Sequence, residues 1–399
     1  MSSGLLTVDE AERLVLDQAP RWSTERVPLA QATGRILRQA ITADRDYPPI
    51  HRSTMDGIAI AHSSWLNGQR AWNVDHVITA GSPAPRLSDP AKTCVRIMTG
   101  AELPANADSI VPVELITMDG ARAIIDSGAT VTPGQYVHAR GIDLATGACA
   151  LEPGVLLDAP RIAIAAALGH ATVAVAARPF VTVISTGNEV VPIETANPRP
   201  GQTRASNLIA LTSGLQALGI QRIDARHVPD QLDQTTSVIG EAIERGDVVL
   251  ISGGVSMGIL DVVPQALATC GVKPIFHKVA QKPGKPLWFG STDRCHVFGL
   301  PGNPVSTLTT FRRYIAPFIL TGMGARIGMV ERRTIQTAVQ PHPVLTIFPP
   351  VRANPSGLDP IPHHGSGDFR SLADSIGFVE IPPGEKALDA GHAVPFYPW

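Results

Sequence analysis

DVVLISGG, from Asp247 to Gly254, leads into ILDVVPQALATCG, from Ile259 to Gly271. A short β-branched run that closes on two glycines, followed by an apolar helical pattern, reads as a strand passing through a flexible loop into a helix. The loop has no Lys-Ser/Thr ending and no G-x-G-x-x-G, so it is neither a Walker loop nor a dinucleotide fingerprint. The same alternation extends both ways. PFVTVIST (179–186), QRIDARHV (221–228), KPIFHKV (273–279), PLWFG (286–290) and CHVFGLPG (295–302) read as strands. SNLIALTSGLQALG (206–219), DQTTSVIGEAIERG (233–246) and PVSTLTTFRRYIAPFILTG (304–322) read as helices. Strands and helices alternating at this spacing specify a doubly wound, mostly parallel βαβ domain over 178–327, with ligands expected at the carboxyl ends of the strands.

Outward from that domain the pattern changes. Thr7-Val8-Asp9-Glu10 has the form of a capping box and starts a first helix. Over 47–146, short β-like runs such as GIAIAH, TCVRIMTG, SIVPVELI and ARAIID are broken by Gly and Pro, which indicates an inserted all-β module. The stretches 1–46 and 147–177 flank it as one helical and linker part, and 328–399 forms a Pro-rich, strand-like C-terminal module. An α/β multidomain chain is the result, as its 399 residues suggest.

Lys and Arg number 33 against 35 Asp and Glu, a net charge of −2, which argues against nucleic acid as the main partner. Cys94, Cys149, Cys270 and Cys295 form no C-x-x-C pair and are read as buried, reduced thiols. No apolar run is long enough for a membrane span, and a cytoplasmic protein is expected. His363 and His364 are adjacent in a Pro/Gly loop and are not assigned to a metal.

Three loops fall at strand ends. STGNE supplies Ser185, Thr186, Gly187 and Glu189; SGGVSMGILD supplies Gly253, Gly254, Ser256 and Asp261. Glycines let backbone N–H groups approach a phosphate. A carboxylate beside a phosphate needs a cation between them, so two acids suggest Mg²⁺; the alternative is tight turns with solvated acids. QKPGKPLWFG holds Lys282 and Lys285 around a stiff Pro-Gly turn, suited to an oxyanion or equally a plain surface turn. GLPGNPVS places Asn303 as N-cap and Pro304 at the first helical position, with Ser306 following: an anion site or simply a well-made helix start. Asp56, Thr99 and Asp143 lie beside glycines in the inserted module, where each taken alone reads as a turn residue.

Taken in order, STMDGIAI, RIMTGAELPANADSIVPVE, ARGIDLATG, VISTGNEVV, SNLIAL, ISGGVSMGILDVV, QKPGKPLWFG and GLPGNPVST resemble the MoeA family, the molybdopterin molybdenumtransferases related to the E domains of gephyrin and plant Cnx proteins. The resemblance covers most of residues 50–310. It implies a homodimer of elongated four-part subunits, with a MogA-like central domain and a barrel-like C-terminal domain. It also implies Mg-dependent insertion of molybdate into adenylylated molybdopterin, releasing AMP and molybdenum cofactor. A MogA-type adenylyltransferase and acceptor molybdoenzymes are the implied partners. By the same resemblance Gly253 and Gly254 cradle nucleotide phosphates, Glu189 and Asp261 hold the metal, and Lys282, Lys285, Ser306 and Ser366 bind molybdate. Asp56, Thr99, Asp143 and Asp230 fall on positions needed for activity, and Arg352 is the candidate arginine partner of Ser366. The sequence departs from the family at Ile58, Ile60 and Asn106, and most of all in GSGDFRSLADSIGF, 365–378. Two other readings are a non-catalytic molybdopterin-binding scaffold and an adenylyltransferase. The inserted module and the end domain favour the insertion step.

Overall fold

The computed structural model describes residues 5–255, 262–362 and 364–399. Ser256 and Asp261 therefore lie outside the described residues, as does His363. The chain divides into two compact units. The larger comprises 1–38, 153–158 and 172–399; the smaller comprises 39–152 and 159–171.

At the heart of the larger unit is a six-stranded sheet in the order Ile223–Val228, Val181–Thr186, Val248–Ser252, His296–Leu300, Trp288–Ser291, Lys273–His277. The first four strands are parallel, and the last two run antiparallel to their neighbours. Residues 248–252 are buried throughout, as the unbroken apolar run requires for a strand covered on both faces. Helices Ser206–Ala217 and Leu232–Arg245 connect parallel strands, and Val263–Thr269 leads from Val248–Ser252 to the edge strand Lys273–His277. Phe289, Phe298 and Phe318 form one core cluster, and Ile184, Ile251 and Val297 belong to another.

The helix expected over 304–322 is continuous but changes its winding. Pro304–Thr310 and Ala316–Gly322 are α-helical, whereas Phe311–Ile315 is a π segment. Pro317 explains the change: it has no N–H to donate, and its ring crowds the carbonyl four residues back, so the ladder widens. Arg313, in that segment, is 2% exposed. Its guanidinium pairs with Glu12 of the N-terminal helix and with Glu380, beside the C-terminal strand Gly377–Val379. The helix Val8–Asp17 starts with the expected capping box, Thr7 and Glu10 bonding reciprocally.

In the C-terminal part, five antiparallel strands follow the order Arg332–Thr334, Ala393–Pro398, Gly377–Val379, Pro350–Asn354, Gly357–Pro360. An Ile335–Leu358 bridge joins the outer strands and curls the sheet towards a barrel. The edges of this part are thereby short and partly closed.

The smaller unit is built on a six-stranded mixed sheet, with Gly57–Ile60 between Ser109–Pro112 and Thr93–Ile97. Gly57 tolerates no side chain, because a Cβ would stand 1.9 Å from the Val111 carbonyl oxygen. Ile58 and Ile60 are fully buried in the sheet core. Asn106 clasps Leu87, accepting from its N–H at 2.8 Å and donating to its carbonyl at 3.0 Å. These departures from the family pattern are packing solutions. Cys94 and Cys295 are buried as expected, and burial pushes each thiol up to about 12. Cys149 corrects the sequence reading: it lies at the surface, on the short strand Cys149–Leu151. Among the described residues no helix is long and apolar enough to cross a membrane.

Candidate active site

Ser185 and Thr186 end the strand Val181–Thr186 at the carboxyl edge of the parallel sheet, and both are buried. One strand over, Gly253 and Gly254 have φ of +98° and +63°. A Cβ on Gly253 would meet the Thr186 carbonyl oxygen at 2.8 Å and its Oγ1 at 2.9 Å; one on Gly254 would meet Oγ1 at 2.9 Å. The Thr186 hydroxyl thus lies directly against the double-glycine turn, and among the described residues it has no hydrogen-bond partner. A buried hydroxyl left unpaired costs about 1–3 kcal/mol. Such a group beside a glycine cradle is suited to an incoming polar ligand.

Neighbouring loops hold this edge in place. Asn188 and Asp230 bond reciprocally, each backbone N–H donating to the other's side chain at 3.2 Å. That joins the STGNE loop to the end of the strand Ile223–Val228 and holds Asp230 beside the loop. The backbone N–H of Gly253 donates to the Leu300 carbonyl at 3.1 Å. Asn207, at the start of its helix, donates to Ser252 Oγ at 2.9 Å and to the Gly302 carbonyl at 2.7 Å. Sequence reading assigned Asn207 no role, although SNLIAL was among the matching stretches. A polar residue opening a helix between two glycine loops was the available signal. The Glu189 carboxylate folds back over Gly187, its oxygens 2.7 and 2.8 Å from where a Cβ would stand. Among the described residues no cluster of three acidic, His or Cys side chains gathers around a cation. One carboxylate fits a Mg²⁺ that takes its remaining ligands from substrate and water.

A second concavity, about 430 Å³, is lined by Lys282, Pro283, His342, Phe348, Gly365 and Ser366 among others. The turn that carries Lys282 is anchored from below. Gln281, fully buried, donates to the Gly284 carbonyl at 3.1 Å and accepts from the Tyr314 hydroxyl. Gly284 has no room for a side chain, with Gln281 Nε2 2.6 Å and the Thr310 methyl 2.7 Å from a Cβ position. Lys282 and Lys285 are both exposed, but Lys285 is outside that lining. Asn303 occupies the N-cap position of the helix from Pro304, yet its side chain makes no capping bond. It donates instead to Ser366 Oγ at 2.7 Å, bringing the divergent C-terminal loop to the helix start. Ser306 is buried in the first helical turn. Arg352 is exposed on the strand Pro350–Asn354 and is also outside the lining.

In the smaller unit, Asp56 Oδ1 accepts from both the backbone N–H and the hydroxyl of Thr99, each at 2.7 Å. Those bonds, the backbone one first, hold the Asp56 carboxyl below its ordinary value. His138 Nε2 lies 3.0 Å from both oxygens of Asp143. The strand pair Arg52–Ser53 with Val137–His138 ties the two loops together. Asp46, which sequence reading missed, accepts from the Thr146 N–H at 2.9 Å, the Thr146 hydroxyl at 2.8 Å and Arg140 Nε at 2.7 Å. These bonds, led by the Thr146 backbone, lower its carboxyl to about 2. Asp46 thereby pins both ends of the ARGIDLATG loop that carries Asp143.

Residues 6–169 match the MoeA N-terminal region (domain I and II), 182–321 the probable molybdopterin binding domain, and 338–399 the MoeA C-terminal region (domain IV). The molybdopterin molybdenumtransferase of a Synechocystis strain is 33% identical over 402 residues, covering 99% of this chain and 100% of its own. The chain belongs to the MoeA family. Another relative, the molybdopterin molybdenumtransferase of Bacillus subtilis, is 30% identical, covering 98% of this chain and 93% of its own. A solved molybdopterin biosynthesis MoeA protein from Pyrococcus horikoshii superposes with a TM-score of 0.85 at 25% identity, covering 99% of this chain and 100% of its own. MoeA membership accounts for the order of the strand-end motifs and places the chain among the transferases of molybdenum cofactor biosynthesis.

Proposed function

We propose that this chain inserts molybdate into adenylylated molybdopterin in a Mg²⁺-dependent reaction that releases AMP and molybdenum cofactor. The observation that carries the reading is the buried Thr186 hydroxyl, unpaired among the described residues, against the Gly253-Gly254 turn. In this reading Ser185, Thr186, Gly187, Gly253, Gly254, Ser256 and Asn303 receive the nucleotide side of the substrate. Lys282, Lys285, Ser306 and Ser366 receive the molybdate dianion. Glu189 and Asp261 would hold Mg²⁺, which would neutralise charge on the phosphate oxygens. Breaking a phosphoanhydride demands chiefly positioning and charge neutralisation, both of which these residues can supply. Asp56, Thr99 and Asp143 belong to the smaller unit, and we assign them to a site completed within a homodimer. The adenylylated substrate requires a preceding adenylyl transfer by a MogA-type enzyme, and acceptor molybdoenzymes would take the product.

Thr186→Val tests the reading. Valine removes an unsatisfied polar group without changing shape, so the variant should melt higher than the parent while its AMP release falls. A variant that melts lower and keeps full AMP release would count against ligand binding there. Mixing inactive Asp56→Ala and Gly253→Ala subunits under verified exchange should restore activity if the site is shared; no recovery would exclude the shared site.

A further inference from the structure

His342 lines the same cleft as Lys282 and Ser366. Its Nδ1 accepts from the backbone N–H groups of Val344 and Leu345, both at 3.2 Å. Backbone N–H groups can only donate, so the Nδ1 lone pair is committed and the ring proton resides on Nε2. With Nδ1 turned to its own loop, Nε2–H is the polar end the ring can offer the cleft. Ser366 is prepared in the same sense. Its oxygen already accepts from Asn303 Nδ2, which leaves its own O–H to donate elsewhere. Lys282 is the one lysine in the lining, and Arg352 lies outside it. Among the described residues the lining itself offers a tetrahedral dianion one cation, with Lys285 outside it, and further donors are needed there.

We propose that His342 is a further binding donor of this cleft, its Nε2–H contacting the oxyanion alongside Lys282 and Ser366. This rests on reading the cleft as the molybdate pocket. Gln340 and the prolines at 341, 343 and 349 complete its wall. Gln340 Nε2 is bonded to the Glu385 carbonyl at 3.0 Å, which fixes the Pro-rich loop that presents the histidine.

The test is the molybdate Kd of the full-length protein, from equilibrium dialysis with molybdenum counted by mass spectrometry. Asparagine can replace Nδ1 as acceptor for the loop but has nothing at the Nε2 position. His342→Asn should therefore keep the parent melting temperature and bind molybdate about tenfold more weakly, the size of one charge-assisted hydrogen bond. His342→Gln, whose amide reaches the Nε2 position, should bind more tightly than His342→Asn. In ¹⁵N-histidine spectra, molybdate should shift Nε2 of His342 more than Nδ1, a readout independent of any variant's folding. Lys282→Ala is the control for the pocket itself. If Lys282→Ala weakens binding while His342→Asn does not, and Nε2 stays unshifted, the histidine has no role and the pocket stands. If Lys282→Ala binds molybdate like the parent, the pocket reading falls and this inference falls with it.

Discussion

At the strand ends of the larger unit the Thr186 hydroxyl is buried and unused among the described residues, whereas in the smaller unit the Asp56 carboxylate is exposed and engaged. Thr186 Oγ1 is enclosed and has no partner among the described residues, while Asp56 Oδ1 stands at the surface with two donors from Thr99. Two strategies for pre-organising a site are on display. The first leaves a deficit that only a ligand can fill, and it uses glycines because the ligand must come close. The second fixes a charge in one orientation by hydrogen bonds made before any ligand arrives. Substitutions should therefore separate the two: changes in the larger unit move stability and binding together, and changes in the smaller unit move activity with little effect on stability.

The largest effect is expected at Gly253. Its φ of +98° and the 2.8 Å approach to the Thr186 carbonyl leave no accommodation for Gly253→Ala. Urea unfolding should show a loss of about 1–3 kcal/mol, with AMP release falling as well. Unchanged stability would break the contrast between the units.

Next comes the lysine pair. Lys282→Ala should cost about 1.5–3 kcal/mol of molybdate affinity, the size of a charge-assisted contact, with Lys285→Ala costing less because Lys285 lies outside the cleft lining. Dialysis on both variants would sharpen the comparison. A larger loss at Lys285 would relocate the oxyanion. Asp56→Asn should then lower AMP release and leave the melting temperature where it is, since the amide can still accept from Thr99. A large fall in melting temperature would show that Asp56 is a structural cap.

Smallest is the acid behaviour of Asp46. Its carboxyl is lowered to about 2 in the folded chain from an ordinary 3.8. The charged form is favoured by folding, so the contribution is complete above about pH 4 and is lost as pH falls towards 2. The difference in melting temperature between the parent and Asp46→Asn should be constant near neutrality and should vanish over that window. A difference that persists at pH 2 would mean the Thr146 and Arg140 bonds do not depend on the charge.

Legibility followed the type of signal. Buried parallel strands ending in glycine could be read directly, because an unbroken apolar run and a turn residue are both local features. The capping box at Thr7 and Glu10 was legible for the same reason. The Asn303–Ser366 bond was not, since it joins residues 63 apart in a part of the chain with little periodicity. Asp46 was missed because its partners lie 94 and 100 residues away. The π segment needed more than the presence of Pro317, which in isolation signals a kink or a stop as readily as a widened turn. His342 offered only a histidine among prolines, and its role depends on which ring nitrogen the backbone occupies.

Arg313 has a practical bearing on how this chain can be cut. The N-terminal helix, the long helix and the C-terminal strands each supply one party to a single buried ion cluster. A fragment ending before Glu380, or beginning after Glu12, would leave the Arg313 guanidinium with part of its counter-charge removed. Breaking a buried pair in this way costs about 3–5 kcal/mol, a large part of what holds a domain together. The boundaries read in sequence, at 178 and 327, are therefore poor places for scissors. Expression of the central α/β segment alone should give a protein prone to aggregation, because Val8, Val15, Phe378 and Tyr397 of the removed parts share its core.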